Sequence, residues 1–326
     1  MRSKTAFVDF VALEGIDSEN LLLYSIKKYF EWDFIMSKKC KVLTIMNMKG
    51  GVGKTTVSMH LSSIVAHHSI NENVKKVLVI DYDPQFNLSQ AFLSVEDFEH
   101  TERERKNVLS VLVEEQSDLD LFNIQMPDTP EPPCLKDIVT TLYKDIDNGR
   151  QFDILPSTLE LMYLALGRSG QALTMMEKRF ASFMIEARDT YDLIVIDCHP
   201  AGSLFTKTAI KSSDHILVPI TPHNYASRGV GLMVNFINSS EFKKNKPKMH
   251  ILFNNTPKSD LVIEKEIRGH ERFGSKCLTQ TMKKYTAYTG LVNGDGYVWK
   301  LNKAYSQKAY FNMSSIATEL LNKIYA

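Results

Sequence analysis

Two hydrophobic rhythms share this chain. Short, near-continuous runs of Val, Ile and Leu occupy residues 41–47, 76–81, 152–155, 193–197, 215–220, 249–254 and 277–282. Runs of this length without polar alternation predict strands buried on both faces, as in parallel sheets. Between them lie longer stretches with apolar positions three to four residues apart, at 55–67, 159–166, 174–188 and 227–238. That period predicts helices with one face turned to a core. Strand and helix in regular alternation predict βαβ units and an α/β fold. The expected architecture is a doubly wound, mostly parallel twisted sheet flanked by helices.

Two regions fall outside this rhythm. Residues 1–36 precede the first expected strand, and Leu22, Ile26 and Phe30 recur every four positions there. They predict a short amphipathic helix in an N-terminal extension, leaving 37–326 as the main domain. Residues 94–133 are acidic and end in Pro127, Pro130, Pro132 and Pro133. This segment reads as a surface helix followed by a stiff loop.

With 326 residues, 44% hydrophobic and 24% charged, the chain can bury a sizeable core without disulfides or metal. No apolar run approaches the roughly 18 residues of a membrane span. Asp9, Glu14 and Asp17 interrupt the apolar residues of the N-terminus, so no signal peptide is expected. Cys40, Cys134, Cys198 and Cys277 are widely spaced and form no CxxC pair, which argues against structural zinc and fits a reducing cytoplasm. The net charge of +1 conceals an asymmetry. Residues 241–326 carry 15 Lys and Arg against 7 Asp and Glu, whereas the remainder of the chain is net acidic. A basic quarter on an acidic body predicts a surface that faces a polyanion.

The chemistry is concentrated in three places. The first is Lys49-Gly50-Gly51-Val52-Gly53-Lys54-Thr55-Thr56, between an expected strand and an expected helix. Glycines let a chain wrap a phosphate with its N–H groups inward, and the helix start adds a positive dipole end. Lys54 is placed to neutralise the outer phosphates, and the Thr55 hydroxyl to join a Mg²⁺ shell. The common pattern has glycine where this chain has Met48. The second is Asp81-Tyr82-Asp83-Pro84-Gln85, at the end of a strand, where alternation sends Asp81 and Asp83 to one side. The third is an apolar strand that ends in Asp197, a carboxylate at the ligand-binding edge of an open sheet that is expected to hold Mg²⁺ through water.

Together these motifs resemble the ParA/MinD family of P-loop NTPases with a deviant Walker A loop. The likeness covers roughly residues 37–326 and is diffuse over the last fifty. It implies ATP and Mg²⁺ as cofactors and a slow, partner-stimulated ATPase. In the family the early lysine, here Lys49, reaches across a nucleotide-sandwich dimer to the partner's phosphates. The second aspartate of the DxD motif, here Asp83, orients the attacking water, and the first, Asp81, supports the metal shell. Phe86 stands where glycine is common, and His199 where proline is. Asn254 sits near where relatives read adenine. The implied function is an ATP-dependent homodimer that coats DNA non-specifically and drives plasmid or chromosome partitioning with a ParB-class partner. The implied location is cytoplasmic and nucleoid-associated, without membrane attachment. Lys283, Lys284, Lys300, Lys303 and Lys308 are the expected DNA contacts, while Tyr285, Tyr288 and Tyr297 read as packing residues.

Three rival functions fit the sequence less well. A MinD-like membrane switch needs a basic amphipathic tail, but 314–325 offers only Lys323 and reads as a core-docked helix. An iron–sulfur reductase needs a paired-cysteine motif that the chain lacks. An ATP-gated DNA-binding regulator needs a reading head longer than residues 1–36 provide.

Overall fold

The computed structural model describes residues 40–114, 129–166, 170–200, 204–223, 226–243, 245–254 and 261–326. The expected N-terminal extension, with its helix at Leu22, Ile26 and Phe30, lies outside the described residues.

Eight strands form one sheet: β1 (Lys41–Ile45), β2 (Lys76–Tyr82), β3 (Thr140–Asp145), β4 (Arg150–Leu155), β5 (Leu193–Cys198), β6 (His215–Ile220), β7 (Lys248–Asn254) and β8 (Cys277–Met282). Their order is β3-β4-β2-β5-β1-β6-β7-β8. Every pairing is parallel except β3 with β4. Strand alternation divides the core into two layers. Val42, Leu78, Ile80, Ile194 and Ile196 face one side, against Phe180, Phe183, Val230 and Met233. Leu43, Val77, Val79 and Val195 face the other, against Val57, Leu61, Ile64, Met313, Ile316 and Leu320. Covering both faces with helices explains why the strands read as unbroken aliphatic runs.

The helices are α1 (Lys54–His67), α2 (Asn87–Phe92), α3 (Val95–Arg103), α4 (Val108–Leu112), α5 (Leu135–Ile138), α6 (Leu161–Leu166), α7 (Gly170–Thr190), α8 (Leu204–Lys211), α9 (Ala226–Ile237), α10 (Leu261–Arg268) and α11 (Ser306–Ile324). Helix α1 is buried along most of its length, because the sheet lies on one side and α11 packs on the other. Arg150 closes its C-terminal end, donating from Nε to the Ala66 carbonyl at 2.9 Å and from Nη2 to the Val65 carbonyl at 2.9 Å. A cation on these unpaired carbonyls also meets the negative end of the helix dipole. Helix α11 buries Ala309, Met313, Ile316, Ala317, Leu320, Leu321 and Ile324. Its apolar stripe is therefore occupied by the core, as the tail's spacing predicts, and the helix begins earlier than residue 314.

Residues 94–114 are only in part the expected surface helix. Helix α3 is the expected surface helix, capped by Ser94, whose hydroxyl accepts from the Asp97 N–H at 3.1 Å. The next element, α4, is entirely buried. Arg179, itself 1% exposed, supports it from α7 by donating to the Val111 and Ser110 carbonyls at 2.9 and 3.1 Å. Residues 115–128 lie outside the described residues. Strand β3 is an addition to the expected set. It is an antiparallel edge strand with no clean apolar alternation, and a turn with Gly149 at φ 64° joins it to β4.

Candidate nucleotide site

The three motifs meet at the carboxyl ends of three neighbouring central strands. The register sets Asp197 on β5 beside Ile45 on β1 and beside Asp81 on β2. The chain leaves β1 towards β2, while β6 and β7 extend the sheet on the other side of β1. A reversal of strand order of this kind opens the crevice in which α/β sheets hold ligands.

The loop after β1 turns through Gly51 at φ 73° and Gly53 at φ 84°. Gly53 caps α1 without a side chain, and no acidic residue lies in the helix's first turn. The N-terminal N–H groups and dipole thus point to where an anion would sit. Gly53 is required twice over. Besides its positive φ, a Cβ there would lie 2.1 Å from the Asn254 amide nitrogen. That nitrogen donates to the Val52 carbonyl at 2.7 Å, so Asn254 at the end of β7 braces the loop. Gly50 and Gly51 have open space around them.

Lys54 is 8% exposed at the head of α1. Thr55 hydrogen-bonds the Asp197 carboxylate, and Ser58, one turn further, donates to its Oδ1 at 2.9 Å. Asp83 and Lys54 also lie within electrostatic reach of Asp197. Burial, opposed by the Thr55 and Ser58 hydrogen bonds, pushes Asp197 up to about 6. Asp81 is pushed up to about 8, by burial first and by the neighbouring Asp197 second. Its Oδ2 accepts from the Ser89 N–H and hydroxyl at 2.8 and 2.7 Å, and its Oδ1 from the Asp83 N–H at 3.3 Å. Asp83 is 8% exposed; its Oδ1 accepts from the Gln85 N–H at 3.0 Å, and its carbonyl from Ser157 at 2.7 Å.

Phe86 adopts φ 43°, the left-handed region in which a side chain is strained. This explains the preference for glycine at that point of the motif. The Phe86 ring stacks on Phe98 of α3 with centroids 5.2 Å apart, and the contact offsets the strain.

Lys49 is exposed on the outer side of the loop. Its N–H donates to Asn47 Oδ1 at 3.0 Å, and its ammonium to His223 Nε2 at 2.7 Å. Asn47 in turn donates to the Pro219 carbonyl at 2.8 Å. Ser58, Ser89 and His223 are the participants that motif reading passes over. Ser58 alone carried a signal, since a residue four after Lys54 shares its helix face. Ser89 and His223 are brought in by tertiary folding. Lys283, Lys284, Lys300, Lys303 and Lys308 are all exposed. Lys303 pairs with Asp295. Tyr288 is buried with its hydroxyl on the Ala309 carbonyl at 2.8 Å, and Tyr297 stacks on Trp299 at 4.6 Å.

Residues 40–251, well over half of the chain, match the family model described as an AAA domain. The chain belongs to this family. Within it, the chain is similar to proteins of the ParA/MinD type. It is 28% identical to the sporulation initiation inhibitor protein Soj of Bacillus subtilis over 204 residues, 60% of this chain and 64% of Soj. It is 25% identical to the chromosome partitioning protein ParA of Caulobacter vibrioides over 242 residues, 72% of this chain and 78% of that one. Among solved structures, a putative plasmid partition protein of Borrelia burgdorferi bound to AMPPNP superposes with a TM-score of 0.60 at 22% identity, covering 88% of this chain and all of that one. That likeness is one of fold.

Proposed function

We propose that this chain is an ATP-driven switch that dimerises on binding ATP, holds DNA non-specifically, and hydrolyses ATP when a ParB-class partner engages it. The observation that supports this most directly is the convergence on Asp197: Thr55 and Ser58 hydrogen-bond its carboxylate, with Lys54 and Asp83 in its field. A cradle of N–H groups, a buried ammonium and a carboxylate cluster suit a magnesium–triphosphate complex and little else.

The donor set fits the metal. Two buried carboxylates on adjacent strands, both with raised proton affinity, are short of a cation. Thr55 and Asp197 would hold Mg²⁺, which supplies charge neutralisation at the phosphates when bound. Asp81, with both oxygens engaged by Ser89 and the Asp83 N–H, would support that shell by fixing the Asp83 turn. Gly50, Gly51, Val52, Gly53 and Thr56 would wrap the phosphates, and Asn254 would hold the loop on the adenine side. Asp83 would orient the water. Lys49, on the exposed rim, would reach the nucleotide of a second subunit, so that ATP binding and dimerisation stabilise each other. The DNA surface would use Lys283, Lys284, Lys300, Lys303 and Lys308, all exposed on the basic quarter. Phosphate contacts of this kind weaken steeply with salt.

The test is ATP turnover by the purified chain, with and without DNA, beside Lys49→Ala and Asp83→Ala. Turnover that falls in both variants while Asp83→Ala still binds ATP supports the assignment. Turnover unchanged by Asp83→Ala contradicts it.

A further inference from the structure

At the opposite end of the sheet from the phosphate loop, where β6 and β7 begin, the surface folds into a cavity of about 640 Å³. Its volume is that of a small-molecule site. Two kinds of surface meet in it. Val234 and Ile237 from α9, with Pro247 and Met249, form an apolar wall. Lys246, Lys248, Arg272, Lys276 and Lys323 converge on the same space from the β7 approach, the segment before β8 and the end of α11. No carboxylate is among the described lining residues. One third of the cations of the basic quarter, five of fifteen, are therefore gathered around one concavity. A concavity lined by cations attracts an anion.

The lining also contains a nearly buried polar group. His250 is 8% exposed and shares a 3.0 Å hydrogen bond between its Nε2 and Nδ1 of His215. The two rings stack with centroids 5.2 Å apart. Burial first, then the facing His215, Lys323 and Lys248, hold His250 down at about 4, against a weaker opposing pull from Glu319. It is thus neutral near pH 7 and adds hydrogen-bonding capacity without further charge.

We propose that this cleft is a second anion site, which takes a small organic molecule carrying two or more phosphate groups, of the nucleoside-polyphosphate class. The cations hold the phosphates, and the organic body lies on the wall of Val234, Ile237 and Met249. A duplex needs only an exposed cationic rim; a concave site with an apolar wall and an inner imidazole suits a ligand that enters whole. The site is separate from the phosphate loop and does not depend on the proposed partition function.

The experiment uses ADP without magnesium on the full-length Lys54→Ala chain, followed by calorimetry and by the imidazole proton resonances of His215 and His250. Expected are binding at one site per subunit, a shift of the His250 resonance, and a loss of affinity of about tenfold or more in an added Arg272→Glu/Lys276→Glu pair. Should Lys54→Ala fold poorly, the wild-type chain serves. It should take up two nucleotides per subunit, falling to one in the charge-reversed pair at unchanged Tm. Absence of ADP binding outside the phosphate loop overturns the proposal, as does affinity indifferent to the charge reversal. Inorganic pyrophosphate binding as tightly as ADP removes the role of the apolar wall and overturns the ligand class. A 20-base-pair duplex that shifts His250 where ADP does not assigns the cleft to nucleic acid instead.

Discussion

Gly53 is the residue on which the phosphate loop turns, and its neighbours show why. A methyl group there would meet the Asn254 amide at 2.1 Å, on a backbone already at φ 84°. Gly53→Ala should therefore abolish nucleotide binding, measured with a fluorescent ATP analogue, while the far side of the sheet stays folded. Asn254→Ala keeps the glycine and removes the bond to Val52. It should lower unfolding free energy by about 1 kcal/mol in urea titrations and weaken nucleotide binding. Phe86 offers a second test at this scale. Its left-handed backbone costs about 1–2 kcal/mol, and its stack on Phe98 returns about 0.5–1.5 kcal/mol. Phe98→Ala should thus destabilise the wild-type chain more than the Phe86→Gly chain, with a coupling of about 1 kcal/mol in a double-mutant cycle. The motif residues were legible individually, because glycines, lysines and aspartates at fixed spacing carry their chemistry openly. Ser89 on Asp81 and His223 on Lys49 were not, since they lie 8 and 174 residues from their partners.

Among the elements, α1 links the site to the core. Its head carries Lys54 and Thr55, its body is buried, and His60 hydrogen-bonds the Tyr288 carbonyl from inside it at 2.9 Å. Burial holds His60 down at about 4, although the Tyr288 bond opposes this. A histidine whose folded pKa is lowered contributes stability above its unfolded value near 6.5. That contribution disappears as the pH falls from about 6.5 towards 4. Urea midpoints should drop between pH 7 and pH 5, and His60→Asn should show a smaller drop; an equal drop would remove His60 from the account. Helix α11 holds α1 from outside, and Leu320→Ala should cost about 2–5 kcal/mol by leaving a cavity. Seven strands and the terminal helix were readable because burial on both faces, or on one helical stripe, leaves a periodic trace. Helix α4 was not: five residues are too few to show a period, and its burial depends on Arg179, an ordinarily exposed type, reaching its carbonyls from α7. Strand β3 escaped for the opposite reason, being a half-exposed edge without apolar alternation.

Across the whole molecule, charge and topology are arranged on one sheet. Acidic groups gather at the carboxyl ends of β2 and β5, while cations of the last quarter rim a cavity where β7 begins. The net charge of +1 conceals this division, and the count over residues 241–326 reveals only that a basic surface exists. Which lysines share a surface is decided by packing. Charge reversal at Lys283 and Lys284 should weaken DNA retention and flatten its salt dependence, read by filter binding across a salt series. The proposed switch requires two subunits to enclose two nucleotides, each lending Lys49 to the other. Sedimentation of the purified chain with and without ATP tests it most directly, beside Lys49→Ala. Expected are a monomer without nucleotide, a dimer with ATP, and a variant that stays monomeric in both. A wild-type chain that neither dimerises nor retains adenine nucleotide would contradict it.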